Sequence, residues 1–312
     1  MGKGTKIVKA EIPQYRLEGF RPVHREEQEV VDFGYNALDK QNAINGFELW
    51  SSIGVKSFVG PLKSAFYRVS ITIRGSVDVQ LGLESFTQKP GTVGFTTLNQ
   101  LFSKKNISRD LFGYYVLFTA DFLQELIPSG KLIDMFPFFD YSGVPIFQLD
   151  VAEMQRVEQF VLLMNDELHT LKAGREKAIQ MYLYLLLLES KRSYERQQLG
   201  ILPVTKDNSY LATKFLKLVS EHFHTCRTVT EYADRLAVTA NHLNRVVKEV
   251  TGNTASDAIA EMLLQEAKAV LRYTDASVSE IGYQLNFSDP AAFSRFFKKR
   301  AGITPLEFRM RA

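Results

Sequence analysis

Residues 229–248 read VTEYADRLAVTANHLNRVVK, and residues 278–298 read VSEIGYQLNFSDPAAFSRFFK. The two stretches are copies of one unit. Each opens beside a hydroxyl residue, Thr228 or Ser277, with a glutamate three positions on, Glu231 or Glu280. That spacing is a helix-starting capping box. A short helix, a tight connection and a second helix follow, with Thr239 and Ser288 expected as caps of the second helices. Gly252 and Gly302 fit the position just past their ends. This is the layout of a helix-turn-helix, written twice.

The second helices carry the chemistry. In the first copy Leu243, Val247 and Val250 are expected to face the core, leaving Asn241, Asn244, Arg245 and Lys248 on the opposite face. In the second copy Phe293 and Phe297, helped by Phe296, take the core role. Ala291, Ser294, Arg295 and Lys298 are left outside. The two exposed sets are offset by 50 throughout. Arginine can bond guanine bidentately, asparagine can bond adenine, and alanine can touch a thymine methyl group. Lysine suits phosphate. A solvated charged face on an ordinary helix explains one copy as well as base reading does. It explains two matched copies much less well. The run 255–273 between them is apolar along one stripe. As a helix it would span roughly 28 Å, close to the ~34 Å between successive major grooves on one face of DNA.

Leu271-Arg-Tyr-Thr-Asp275, Val278-Ser-Glu-Ile281, Asn286-Phe287-Ser288-Asp289, Phe293-Ser-Arg-Phe-Phe-Lys-Lys299, Gly302-Ile-Thr-Pro305 and Phe308-Arg309 closely resemble the signature of the AraC/XylS family of bacterial transcription regulators. The resemblance covers residues 208–312. It implies a seven-helix domain whose two helix-turn-helix units enter adjacent major grooves. It places base reading on Asn241, Asn244 and Arg245, and on Ala291, Ala292, Ser294 and Arg295. Lys248, Lys298, Lys299 and His242 are expected at phosphates. The chain departs from the family at Asn286, where glycine is usual, at Met262, often arginine, and at Val247, usually aromatic. Asparagine tolerates a left-handed turn, so the connection at Asn286 is expected to survive.

The rest of the chain reads differently. Residues 66–73, 77–81, 92–95 and 114–118 are β-branched, aromatic or alternating, and turn signals separate them. They predict a small antiparallel barrel or sandwich. The period changes after Thr119. Asp121 is placed to cap a short helix, and from Val151 two apolar stripes separated by Ala173-Gly174 predict a helical hairpin. Leu185 and Leu188 widen the second stripe, which is either core or a subunit contact. The polar run 193–207, with Gly200 and Pro203, reads as a linker. The fold class is therefore α+β: a cupin-like N-terminal barrel with a helical hairpin, then an all-α domain of two helix-turn-helix units. The domains are residues 1–195 for sensing or dimerisation, a linker at 196–207, and DNA binding at 208–312. By analogy with the family, the first domain would bind a small-molecule effector, form a homodimer through the 151–192 helices, or both. RNA polymerase would be the further partner.

Composition limits the alternatives. Of 312 residues, 45% are hydrophobic and 23% charged, an ordinary globular balance. Net charge is +3, and all of it lies in residues 208–312, with 14 Lys+Arg against 11 Asp+Glu. That mild excess points to an anionic partner. Cys226 is the single cysteine, which excludes an intrachain disulfide. It is read as incidental rather than as a redox sensor. The five histidines, His24, His169, His222, His224 and His242, form no metal-ligand pattern. No Walker loop, nucleophile elbow or dinucleotide fingerprint is present. No cofactor or enzyme activity is expected, and no membrane span or signal peptide, which makes the cytoplasm the default. Two rivals remain open: a protein-interaction module built on the helix-turn-helix units, and an enzyme built on the barrel. Aromatic residues Trp50, Phe66, Tyr67, Phe86, Phe95, Phe102, Tyr114 and Tyr115 supply material for either a core or a pocket, one suited to a small, partly apolar ligand.

Overall fold

The computed structural model describes residues 14–26, 32–36, 38, 42–128, 130–140, 143–199 and 207–311. Most of the expected linker, residues 200–206, lies outside these, as does the extreme N-terminus. The chain forms two compact units, Tyr15–Tyr210 and Leu211–Ala312.

The first unit contains ten strands: β1 (Gln14–Tyr15), β2 (Phe47–Ser51), β3 (Val59–Ser64), β4 (Tyr67–Arg74), β5 (Val77–Leu81), β6 (Glu84–Gln88), β7 (Thr92–Thr96), β8 (Phe102–Lys105), β9 (Phe112–Phe118) and β10 (Ile146–Gln148). Short helices α1 (Arg21–His24) and α2 (Leu132–Met135) lie outside the strands. Two five-stranded sheets result, ordered β1-β3-β8-β5-β6 and β10-β7-β4-β9-β2. In the second sheet β4 is central, paired antiparallel with β7 through Ile71↔Val93 and with β9 through Val69↔Val116. β9 is a nearly continuous hydrophobic run, as a strand covered on both faces should be, whereas β4 alternates apolar and polar residues.

The hairpin helices are α3 (Val151–Thr170) and α4 (Arg175–Arg196). Asp150 caps α3 in a capping box with Glu153. The chain reverses through Leu171 and Gly174, both at positive φ. Val157, Val161, Met164 and Leu168 of α3, with Ile179, Leu183, Leu186 and Leu187 of α4, share one core with Tyr67, Val69, Ile71, Val116 and Phe118. Glu153 also receives the Arg196 guanidinium at 2.9 Å and the Ser193 hydroxyl at 2.8 Å. That bidentate, partly buried pair fastens the two helices together.

Two local expectations are corrected. Residues 193–196 are the last turn of α4 rather than linker, because Ser193, Tyr194 and Arg196 all have partners in the hairpin unit. The segment at Asp121 is a single 3-10 turn, Ala120–Leu123, preceded by Thr119. Asp121 sits inside its first turn and makes no side-chain cap.

The second unit is all helix: α5 (Asp207–His222), α6 (Val229–Arg235), α7 (Ala240–Thr251), α8 (Ala255–Tyr273), α9 (Val278–Gln284), α10 (Pro290–Ala301) and α11 (Pro305–Arg311). α8 occupies its centre. Met262, Leu263, Leu264, Gln265, Glu266 and Ala267 are consecutive buried residues, so the helix is covered on every side. No helix among the described residues is long and apolar enough to cross a membrane.

Candidate nucleic-acid interface

The two copies fold alike from their caps upward. Thr228 with Glu231 and Ser277 with Glu280 form complete capping boxes at α6 and α9. These hydrogen bonds hold both glutamates below the usual carboxylate range. Each short helix ends on a leucine, Leu236 or Leu285, and the chain then turns through a left-handed residue, Ala237 at φ 54° or Asn286 at φ 54°. Asn286 therefore does hold the turn where the family has glycine. α7 and α10 then close on Gly252 and Gly302, both at φ 78°.

The copies differ by one residue in the turn. Residues 236–239 connect α6 to α7, whereas residues 285–289 connect α9 to α10. This insertion moves the second cap. Thr239 accepts from the His242 amide at 3.2 Å, as expected. In the second copy the cap is Asp289, which accepts from the Ala292 amide at 2.7 Å. Ser288 instead donates its hydroxyl to Asp289 at 3.1 Å. Pro290 follows at the first helical position, where its missing N–H costs nothing.

The buried faces are Leu243, Val246 and Val247 in α7, and Phe293 and Phe297 in α10. Val250, expected inside, is 45% exposed, and Val246 takes its place. α7 ends at Thr251, so its last apolar position runs out beyond the core. A Cβ at Gly282 would lie 3.1 Å from the Phe293 Cβ. The absence of a side chain there lets α9 and α10 pack closely.

On the outer faces, Asn241, Arg245 and Lys248 are exposed in α7, and Ala291, Arg295, Lys298 and Lys299 in α10. His242, Asn244, Ala292 and Ser294 are half-buried. Three of these side chains are already engaged. Arg245 donates to Glu249 Oε1 at 3.2 Å and lies 3.1 Å from His242 Nδ1. Asn244 Oδ1 accepts from the Ala255 amide at 2.9 Å, supporting the first turn of α8. Asn244 thus offers outward only its Nδ2, whereas bidentate adenine recognition uses both ends of the amide. Arg295 forms no ion pair among the described residues.

Sequence reasoning missed the braces that join the copies. The Arg227 guanidinium donates to the Leu285 carbonyl, at the end of α9. Asn286 Nδ2 donates to the His224 carbonyl at 3.0 Å. Arg300 of α10 pairs with Asp257 of α8 at 2.9 Å. The Thr254 hydroxyl and then Arg300 hold Asp257 below its ordinary range. Arg309 donates to the Leu271 and Ala276 carbonyls at 3.0 and 2.5 Å. The Arg309 brace lay within a quoted motif, but its contacts are long-range and leave no periodic trace. Cys226 is buried.

A helix-turn-helix domain family matches residues 232–311. The HTH-type transcriptional activator RhaS of Citrobacter koseri is 25% identical over 166 residues, covering 52% of this chain and 56% of that protein. RhaS of Enterobacter sp. strain 638 is 27% identical over 192 residues, covering 60% and 62%. The chain thus carries a helix-turn-helix domain and is similar to HTH-type transcriptional activators. The match spans a little over half the length of these RhaS relatives. Among solved structures, ToxT from Vibrio cholerae is similar over 85% of this chain and 98% of its own, at 15% identity and a TM-score of 0.41. The AdpA DNA-binding domain, solved with a target DNA, is similar over 32% of this chain and 90% of its own, at 22% identity and a TM-score of 0.30.

Proposed function

We propose that this protein is a sequence-specific, double-stranded DNA-binding transcription regulator that reads two adjacent major grooves with α7 and α10. The observation that carries this reading is the matched pair of outer faces, Asn241, Arg245 and Lys248 against Ala291, Arg295 and Lys298, on two capped helices joined by the rigid α8. α8 has 19 residues, and at 1.5 Å each it spans roughly 28 Å. That suits two readers on one face of the duplex. In this proposal Asn241, Arg245 and Arg295 carry most of the base discrimination, with Ala291, Ala292, Ser294 and the Asn244 Nδ2 contributing around them. Lys248, Lys298, Lys299 and His242 contact phosphate.

The RhaS relatives are named as transcriptional activators, which supports activation and hence contact with RNA polymerase. The first unit would act as the sensor and dimeriser. Leu162, Met181 and Leu185, each 40–49% exposed on α3 and α4, supply an apolar face for a homodimer.

The test is equilibrium binding by Arg245→Ala, Arg295→Ala and the double variant at a site selected by the parent protein. Each single change is expected to cost about 1–3 kcal/mol and to relax one base position. A folded double variant that keeps both specific binding and regulation would transfer the surface to a protein partner and overturn the proposal.

A further inference from the structure

The strand unit holds a cleft with about 650 Å³ of empty space, part of it open to solvent. It lies between the two sheets, lined by β4 and β9 on one side and by β3, β5 and β8 on the other. Alternation along β4 decides what reaches it. Tyr67 and Val69 join the core shared with α3 and α4, Arg68, Ser70 and Thr72 line the cleft, and Ile71 belongs to that core and also borders the cleft. Of the aromatic residues expected to form a pocket, Phe102, Tyr114 and Tyr115 line it, and Phe20 joins them.

Arg68 is the anomaly. It is 6% exposed, and its guanidinium carbon sits 3.8 Å from the Phe102 ring centroid and 5.4 Å from that of Phe20. Among the described residues it makes no hydrogen bond and no ion pair, and its Nη1 is sealed from solvent without a partner. Burial lowers its pKa only to about 10, so it stays charged at neutral pH. Lys104 lines the same cleft, also without an ion pair among the described residues. Burial, then Arg68 and Arg25, lowers its pKa well below the ordinary range. His24 adds no charge: burial holds it neutral, and its Nδ1 lies 2.7 Å from the Phe20 carbonyl oxygen. Among the described residues no aspartate or glutamate lines the cleft.

An unpaired buried charge costs several kcal/mol, and an arginine cannot escape that cost by deprotonating. The missing component is an anion. We propose that the cleft binds a small organic monocarboxylate with an apolar body, its carboxylate on the Arg68 fork and its body among Val59, Val77, Val79 and Leu111. A planar guanidinium with parallel donors matches a carboxylate. The aliphatic walls exclude a second charge. A polyhydroxylated ligand is disfavoured because the polar lining is largely used internally: Gln88 donates to Ser70 Oγ at 2.8 Å, and Ser70 to the Gly94 carbonyl at 3.3 Å.

This inference deepens the sensor reading of the first unit, and the experiment separates the two. Butyrate, hexanoate, octanoate, benzoate and phenylacetate are titrated calorimetrically into the full chain, each beside its neutral amide. At least one acid is expected to bind saturably, with its amide about tenfold weaker or worse. Arg68→Met, which replaces a buried unpaired charge with an apolar side chain of similar length, is expected to fold and to lose binding by a similar factor. Val79→Trp, which fills the cleft, is expected to abolish binding whatever the head group. Absence of binding by all five acids would overturn the proposal. So would acid and amide binding alike, or undiminished binding in both variants. Tight binding of an acid with no change in DNA affinity would leave the site standing and contradict only the sensor reading.

Discussion

Arg245 and Arg295 hold the same place in two copies of one helix, but their surroundings differ. Arg245 is tied to Glu249 and His242 on an open surface. An exposed pair of that kind is worth at most about 1 kcal/mol. A bidentate guanine contact returns about 1–3 kcal/mol, so Arg245 can leave its neighbours for DNA. Arg295 has no such tie to break among the described residues. Lys298 is proposed to contact phosphate. Lys298→Ala should weaken binding evenly across DNA sequences and reduce the slope of log K against log salt by about one. A salt titration that returns the parent slope would remove Lys298 from the backbone contacts. In the other unit Glu48 is raised to about 7, chiefly by burial, while accepting from the Trp50 indole at 2.9 Å. A carboxyl raised in the folded state gives stability that is present at low pH and lost as pH rises from about 4.5 to about 7. Glu48→Gln keeps the indole's acceptor and should flatten that loss. The expected gain above pH 7 is up to about 3 kcal/mol, measured by denaturant unfolding at several pH values. An unchanged pH profile would contradict this assignment. That a glutamate beside a tryptophan would titrate so high was not legible in the sequence, because Glu48 alternates along β2 as any exposed strand residue would.

At the scale of the element, the helix-turn-helix copies were the most legible part of the chain. Capping residues act on amides two or three positions away, so Thr228, Glu231, Ser277, Glu280 and Thr239 announce themselves locally. The misreading at Ser288 has a local cause too. Ser288 and Asp289 are both good caps, and only the one-residue-longer turn decides between them. Val250 could be misplaced because helical periodicity says which face a residue occupies, not where the neighbouring helix stops. The strands of the first unit were legible as an antiparallel set. Their division into two sheets was not, since it depends on non-local pairing such as β3 with β8. The turns also carry a prediction. Ala237 is exposed and held at φ 54°, a conformation that costs a non-glycine residue about 1–2 kcal/mol. Glycine there would relieve the strain and give back roughly 0.4–1 kcal/mol in unfolded-chain entropy. Ala237→Gly should therefore stabilise the helical unit by up to about 1 kcal/mol, read from its unfolding midpoint. A clear loss of stability would show that the turn is not strained as described.

At the scale of the whole molecule, the proposed division of labour is between a helical unit that reads DNA and a strand unit that holds an unbalanced cation in its cleft. The reader's geometry rests on contacts between distant segments. Arg227 to Leu285, Asn286 to His224 and Arg300 to Asp257 link the two copies and α8 into one body, so α7 and α10 are presented together. Nothing in the local sequence marks these links, since each joins residues more than 40 positions apart. The charge excess of residues 208–312 is small, so specificity must come from placement more than from bulk attraction. The measurement that tests this most directly is selection of bound sequences from a random duplex library by the full-length chain, at controlled salt. The account predicts two short specified blocks whose centres lie about one helical turn, ~10 base pairs, apart, with Arg245→Ala relaxing one block and Arg295→Ala the other. A single block affected by both variants, or no enrichment by folded protein at low salt, would contradict the double-reader account.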